Sequence, residues 1–77
     1  MPRHFKNVSL RDCRKFLTKV GCHKNRSNGG HEHWTRYDLL RPITIQSHID
    51  PVPEFIMKQI LRTLEVDKDE FWEILNQ

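Results

Sequence analysis

A histidine-containing turn is the part of this 77-residue chain best suited to chemistry. Residues 27–34 read SNGGHEHW, with His31 directly after two glycines and His33 two residues further on. An imidazole has an unperturbed pKa of about 6.5, so it exchanges protons near neutral pH and suits general acid–base catalysis. Glycine has no Cβ and allows another backbone to approach closely. His31 is therefore a candidate for acid–base chemistry at a turn with room for a substrate, and a tight hairpin that carries histidines without a chemical role is the alternative.

A zinc site is the metal alternative for the same residues. Cys13, Cys22, His23, His31 and His33 supply enough thiols and imidazoles for four ligands. Their spacing matches no usual Cys/His zinc framework, and Cys13 falls in the middle of a predicted helix. We therefore predict no metal site and no cofactor. Cys13 is expected to be a small buried apolar residue, and two cysteines are too few for a disulfide scaffold.

The charges of the chain are unevenly distributed. The formal net charge is +3, with most basic residues in the first half and most acidic residues in the second. A basic surface suits a polyanion such as nucleic acid, although a solvated charged surface without a partner is the alternative. The early basic residues are Arg3, Lys6, Arg11, Arg14, Lys15, Lys19, Lys24, Arg26, Arg36 and Arg41.

Three helices are predicted from apolar residues at helical spacing. The first covers residues 9–21, with Ser9 as the expected N-cap and Gly21 as the expected stop. The second covers residues 54–66 and the third residues 70–77. Their apolar stripes are Leu10, Cys13, Phe16, Leu17 and Val20; Phe55, Ile56, Met57, Ile60, Leu61 and Leu64; and Phe71, Ile74 and Leu75.

Three strands lie between the first two helices. The pair Asn28-Gly29 predicts a type I′ hairpin turn, because that turn needs a positive φ at both central residues. It joins strands at residues 22–26 and 30–36. Ile43 and Ile45 alternate with polar residues and mark a third strand within residues 42–46.

These elements predict an α+β fold in one domain, residues 1–77, with the order α-β-β-β-α-α. An antiparallel three-stranded sheet with helices on one face leaves its other face open to water. We expect Trp34 to point to the helices, although stacking on a nucleic-acid base is its alternative role. Alternation along the strands then puts His31 and His33 on the open face, and His48 there too by extension.

Neither a membrane span nor a signal peptide is expected. No apolar run approaches the roughly 20 residues that a spanning helix needs. The first ten residues, MPRHFKNVSL, contain charge and no apolar core. We therefore expect a cytoplasmic protein with reduced cysteines.

Four motifs together resemble the HicA family, the toxins of type II toxin–antitoxin pairs. They are FLTKVGC, GGHEHW, ITIQSH and IMKQILRTLEV, and the resemblance covers about residues 9–72. It implies a fold similar to a double-stranded-RNA-binding domain. It implies an mRNA-cleaving endoribonuclease that works without a metal, and a cognate HicB antitoxin protein as partner. The catalytic histidine of the family corresponds to His31.

The chain departs from that family at two places. The family usually has Ser or Thr immediately before the catalytic histidine, where this chain has Gly30. The family commonly has Gly or a basic residue soon after the later histidine. Here the segment after His48 contains Asp50, Pro51 and Pro53.

RNA cleavage of this kind uses the 2′-OH of the substrate as nucleophile and needs a base, an acid and positive charge at the phosphate. We expect His31 to be the base. His48 matches a recurrent family position and is expected either to be the acid or to anchor its loop by a hydrogen bond to backbone. His33 shares the predicted face of His31 and is a weaker candidate.

Basic residues near the hairpin are the expected RNA contacts. Lys24 and Arg26 lie on the partner strand, and Arg36 and Arg41 are weaker candidates. A solvated strand face is the alternative for all of them. A non-catalytic RNA-binding module with the same basic face is the alternative function.

Overall fold

A computed structural model describes residues 7–77 and contains the six predicted elements. The order is α1 (Leu10–Lys19), β1 (His23–Asn28), β2 (His31–Thr35), β3 (Ile43–Gln46), α2 (Glu54–Leu64) and α3 (Lys68–Leu75). The strands form one open antiparallel sheet in the order β1-β2-β3. The chain is thus a small α+β domain, as predicted. Arg3 and Lys6 of the predicted basic half lie outside the described residues.

Helix α1 begins and ends where its capping residues predict. The Ser9 hydroxyl accepts the Asp12 N–H at 3.0 Å. At the other end, Gly21 has φ +91° and the Cys22 N–H donates to the Leu17 carbonyl at 2.9 Å. A left-handed glycine with this hydrogen bond is a Schellman-type helix end.

The hairpin turn lies one residue later than predicted. The positive φ angles belong to Gly29 (+59°) and Gly30 (+81°), and Asn28 pairs with His31 as part of the ladder. The prediction of an Asn28-Gly29 turn was therefore wrong by one position. Two consecutive glycines take positive φ at lower steric cost than asparagine does, so β1 continues two residues beyond Arg26.

The sheet has one covered face and one open face. Trp34, Ile43 and Ile45 are buried against the helices. His31 and His33, which alternate with them along the sheet, are half-buried on the other side. The prediction that Trp34 belongs to the core is confirmed.

Helices α1 and α3 pack together through Phe16 and Phe71, whose ring centroids are 4.7 Å apart. Cys13 lies in the same core, fully buried, and burial raises the pKa of its thiol to about 12. It is a small apolar core residue, as predicted. The prediction for Phe55 was wrong: 63% of its surface is exposed, because the buried stripe of α2 consists of Met57, Ile60, Leu61 and Leu64.

A charged side chain on the covered face, Glu32, was not predicted. It lies between His31 and His33 on β2 and is only 3% exposed. Its carboxylate accepts hydrogen bonds from the Arg14 Nε of α1 at 3.1 Å and from the Trp34 indole at 3.2 Å. These bonds hold the pKa of Glu32 below its ordinary value, with Arg14 as the main cause. The network joins α1 to the central strand.

Replacing Arg14 tests this connection. Arg14→Met keeps the aliphatic stem but leaves the Glu32 carboxylate buried without its ion pair. We expect the free energy of unfolding to fall by about 2–3 kcal/mol, less than for a fully buried pair because 40% of the Arg14 side chain is exposed. Urea denaturation at pH 7 measures it. Arg11→Met on the exposed side of α1 is the matched control, and an equal loss in both variants would contradict this role of Arg14.

The low pKa of Glu32 also predicts how stability depends on pH. The folded chain keeps Glu32 ionised to a lower pH than the unfolded chain, whose carboxyl has its ordinary pKa near 4.5. The contribution of Glu32 is therefore complete above that value and is lost as the pH falls through the folded pKa. Denaturation at several pH values between about 3 and 7 should show a shallower acid-induced loss for Glu32→Gln than for the exposed control Glu73→Gln. Parallel curves would argue against the assignment.

Candidate functional site

His31 lies on the wall of a cleft beside the free edge of the sheet. The cleft has a volume of about 270 Å³ and is bounded by β3, the segment that follows it and the start of α2. Gln46, which lies opposite His31 in the ladder, forms a polar wall. Ile49, Pro53 and the exposed ring of Phe55 form an apolar wall. The predicted base therefore borders a space with both polar and apolar surfaces.

His48 packs against the glycine that precedes His31. A Cβ on Gly30 would lie 3.0 Å from Nδ1 and 3.4 Å from Cε1 of His48. The Gly30 carbonyl accepts two hydrogen bonds from Ser47, from its N–H at 2.7 Å and from its hydroxyl at 2.9 Å. Ser47 thus holds the loop after β3 on the hairpin turn, and the structure brings His48 to the residue next to His31.

The structure explains why residue 30 is a glycine. With φ +81° and the His48 ring against its Cα, Gly30 occupies a position where any side chain is both strained and crowded. A Ser or Thr at this position would have to displace His48.

Asp50, in the segment after His48, stabilises the fold. Its carboxylate accepts the Leu10 N–H at 3.0 Å and so caps the start of α1. A carboxylate is favourable at this end of a helix because the exposed N–H groups carry partial positive charge. The sequence pattern gave no sign of this contact, which spans 40 positions.

His33 and Arg26 form a second polar group on the open face. His33 Nδ1 lies 3.1 Å from the Thr44 hydroxyl, and Arg26 is opposite His33 in the β1–β2 ladder. His33 is two residues from His31, which is about 6.6 Å along a strand. These side chains extend the surface beside His31 across the sheet.

Lys24 is separated from Arg26 by an irregularity in β1. The ladder pairs Lys24 with Trp34 and Arg26 with His33, and the register shifts between them. Residues directly opposite each other in the ladder point to the same face of the sheet, and Trp34 and His33 point to different faces. Arg26 is therefore on the open face, and Lys24 is on the side of Glu32, whose pKa its charge helps to lower.

Arg36 is at the far end of β2 and is engaged in holding the fold. Its guanidinium makes two hydrogen bonds to Asp38, at 2.6 and 2.9 Å, and one to the Val20 carbonyl at 2.9 Å. The pairing raises the pKa of Arg36 and lowers that of Asp38. The structure therefore does not bring Arg36 to His31.

Sequence reasoning missed three contributors to this site. Ser47 anchors His48, Gln46 lines the cleft and Phe55 exposes an aromatic ring there. Gln46 had a detectable signal, since it alternates with buried Ile45, whereas the contact of Ser47 with Gly30 depends on the tertiary fold.

Among residues 7–77, no group of three or more His, Cys, Asp and Glu side chains is arranged to hold a metal ion. None of the helices described is long and apolar enough to cross a membrane. Comparison with protein-family models, curated proteins and solved structures gave no match for this chain.

Replacing each turn glycine by alanine tests the role of Gly30. Both residues have positive φ, but a Cβ on Gly29 meets no atom within 4 Å whereas one on Gly30 meets His48. We expect Gly29→Ala to reduce the free energy of unfolding by about 1 kcal/mol and Gly30→Ala by about 2 kcal/mol. Thermal or urea denaturation gives both values.

Adding His48→Ala to each variant completes the cycle. It should recover part of the loss in Gly30→Ala and none in Gly29→Ala, because only the first contains the crowded contact. The same effect of His48→Ala on the free energy of unfolding in both backgrounds would contradict the close contact between position 30 and His48.

Proposed function

We propose that this chain is an endoribonuclease toxin of the HicA kind that cleaves mRNA with His31 as its general base. The observation that carries the proposal is that two histidines lie at one turn, His31 on the cleft wall and His48 beside Gly30, the residue before His31. The element order, the open sheet face and the short hairpin also support a fold similar to a double-stranded-RNA-binding domain.

The two histidines have complementary roles in the proposed reaction. His31 removes the proton from the 2′-OH of the RNA, and the 2′-oxygen attacks the adjacent phosphorus. The bond from phosphorus to the 5′-oxygen of the next nucleotide breaks, and His48 gives that oxygen a proton. The products are a 2′,3′-cyclic phosphate and a 5′-OH. The reaction uses the nucleophile of the substrate and needs only proton transfer and charge stabilisation.

The surface around His31 offers contacts for the RNA backbone. Arg26 on β1 and His33 on β2 present polar groups on the open face, on the same side of the sheet as His31. Arg26 is the stronger candidate for a phosphate, because Lys24 lies on the other side of β1 and Arg36 is bound to Asp38. The proposal therefore gives Arg26 the main electrostatic role.

The proposal includes a HicB-type antitoxin protein as partner and a place of action in the cytoplasm, where mRNA is translated. Both come from the resemblance to the HicA family. An exposed active cleft in a growth-inhibiting enzyme requires such a neutralising protein.

Substitution of the open-face histidines tests the proposal. Wild-type protein should cleave an unstructured, end-labelled RNA in EDTA to products with a 2′,3′-cyclic phosphate. His31→Ala should lower the rate by about 10²–10⁴-fold, the usual contribution of general acid–base catalysis, and His48→Ala should also lower it. His33→Ala, two residues away on the same face, should change the rate only a few-fold.

Two further measurements interpret the result. Circular dichroism establishes that each variant is folded, and induced expression should arrest growth for wild type but not for His31→Ala. Equal cleavage by wild type and His31→Ala would refute the catalytic role. RNA binding without cleavage would favour the non-catalytic RNA-binding module instead.

A further inference from the structure

Strand β3 has a free edge that can accept another strand. Within residues 7–77 it pairs only with β2, and the Ser47 N–H directly after it donates to Gly30 on the β2 side. Hydrogen-bonding direction alternates along an antiparallel strand. The backbone groups of Ile43 and Ile45 therefore point to β2, and those of Thr44 and Gln46 point to the free edge.

A groove runs beside this edge, between β3 and α2. The cleft at His31 occupies one end, and a second cleft of about 310 Å³ occupies the other end, near Arg41. Both clefts are lined by Thr44 and Ile56, so they are neighbouring parts of one depression. We call this depression, from Arg41 to His31, the β3–α2 groove. The groove follows β3, so an extended segment bound in it would lie alongside that strand.

The lining of the groove combines apolar side chains with unpaired charge. Ile43, Ile56 and Ile60 form much of the second cleft, and none of the residues that line either cleft is acidic. No ion pair found within residues 7–77 engages Arg41. An occupant with apolar side chains toward α2 and an acidic group near Arg41 is complementary to this surface.

We propose that the β3–α2 groove binds an extended, acidic peptide segment of a partner protein, which adds to β3 as a fourth strand. Main-chain hydrogen bonds to Thr44 and to the Gln46 N–H hold the segment. Alternate side chains enter the groove beside Ile56. RNA fits the edge of β3 less well than a peptide does, because RNA has no regular series of N–H and C=O groups to pair with a strand; its proposed contacts are at His31 and on the open face. The proposal does not depend on the catalytic role of His31.

The edge is short, and this limits the affinity. Natural sheets protect their edges with short strands and proline, and β3 has four residues preceded by Pro42. Proline has no N–H, so pairing stops at that end. We therefore expect micromolar to millimolar dissociation constants for an isolated peptide.

The experiment uses a synthetic peptide as probe. Acetyl-Asp-Ile-Thr-Val-Thr-Ile-Asp-amide alternates apolar and polar residues and, at about 3.3 Å per residue, is longer than the four residues of β3. It is titrated to millimolar concentration into the ¹⁵N-labelled chain. We expect saturable shift changes at the amides of Thr44, Gln46, Ile56 and Gln59. Unchanged signals at these positions would overturn the proposal.

Backbone pairing is tested with modified peptides. Peptides N-methylated at alternate residues, in the two possible phases, should differ, because only one set of N–H groups faces β3. One phase should lose binding and the other should keep it. Equal binding of both would show that the contact is not strand addition.

Variants of the chain give an independent test. Thr44→Pro removes an edge-facing N–H and should weaken peptide binding at least about tenfold, whereas Ser27→Pro at the outward position of the other edge strand should leave it unchanged. If Thr44→Pro fails to fold, Gln59→Trp fills the groove from α2, with Lys58→Trp beside it as control. Equal effects within a pair would contradict the proposal.

Competing occupants give different results. Shift changes at Arg41 and Gln59, away from His31, with a single-stranded oligouridine, and none with the peptide, would assign the groove to nucleotide. Concentration-dependent shifts without peptide, with a dimer in light scattering, would assign it to a second copy of this chain. Either outcome would overturn the proposal.

Discussion

The buried carboxylate of Glu32 is the constraint on which the arrangement of the site depends. A charge on the covered face of a small sheet is costly unless it is paired, and Arg14 and Trp34 supply its partners. This network fixes which way the central strand faces. A shift of one residue would expose Glu32 and Trp34 and would bury His31 and His33. The ion pair on one side of the sheet therefore determines that the imidazoles lie on the other side.

Much of the fold could be predicted because its signals are local. Ser9, Gly21 and the capping box of Asp67 and Glu70 define helix ends through neighbouring residues. The turn could not be placed correctly, because the pairs Asn28-Gly29 and Gly29-Gly30 can each supply the two positive-φ residues of the turn. Glu32 was missed because an isolated acidic residue between two histidines fits an exposed strand equally well, and Arg14 lies 18 positions away.

The site was predictable in its main residue and less so in its surroundings. Alternation around Trp34 was enough to put His31 on the open face. The proximity of His48 to that turn depends on Ser47, whose bonds to Gly30 cross 17 positions. The separation of Lys24 from Arg26 depends on one irregular position in β1. Strand alternation predicts the face of a residue only where strand pairing is regular. The position of His48 and the separation of Lys24 from Arg26 both depend on segments where the pairing is irregular or has ended.

The contact between α1 and α3 has a consequence for how the chain folds during synthesis. Phe16 packs on Phe71, and the Lys19 ammonium reaches the carbonyls of Leu75, at 3.5 Å, and Gln77. On the ribosome, α1 and the whole sheet emerge before α3 does. The part of α1 that packs on α3, including the Phe16 ring, stays exposed during that interval. The core of this domain is therefore completed only when α3 has left the exit tunnel.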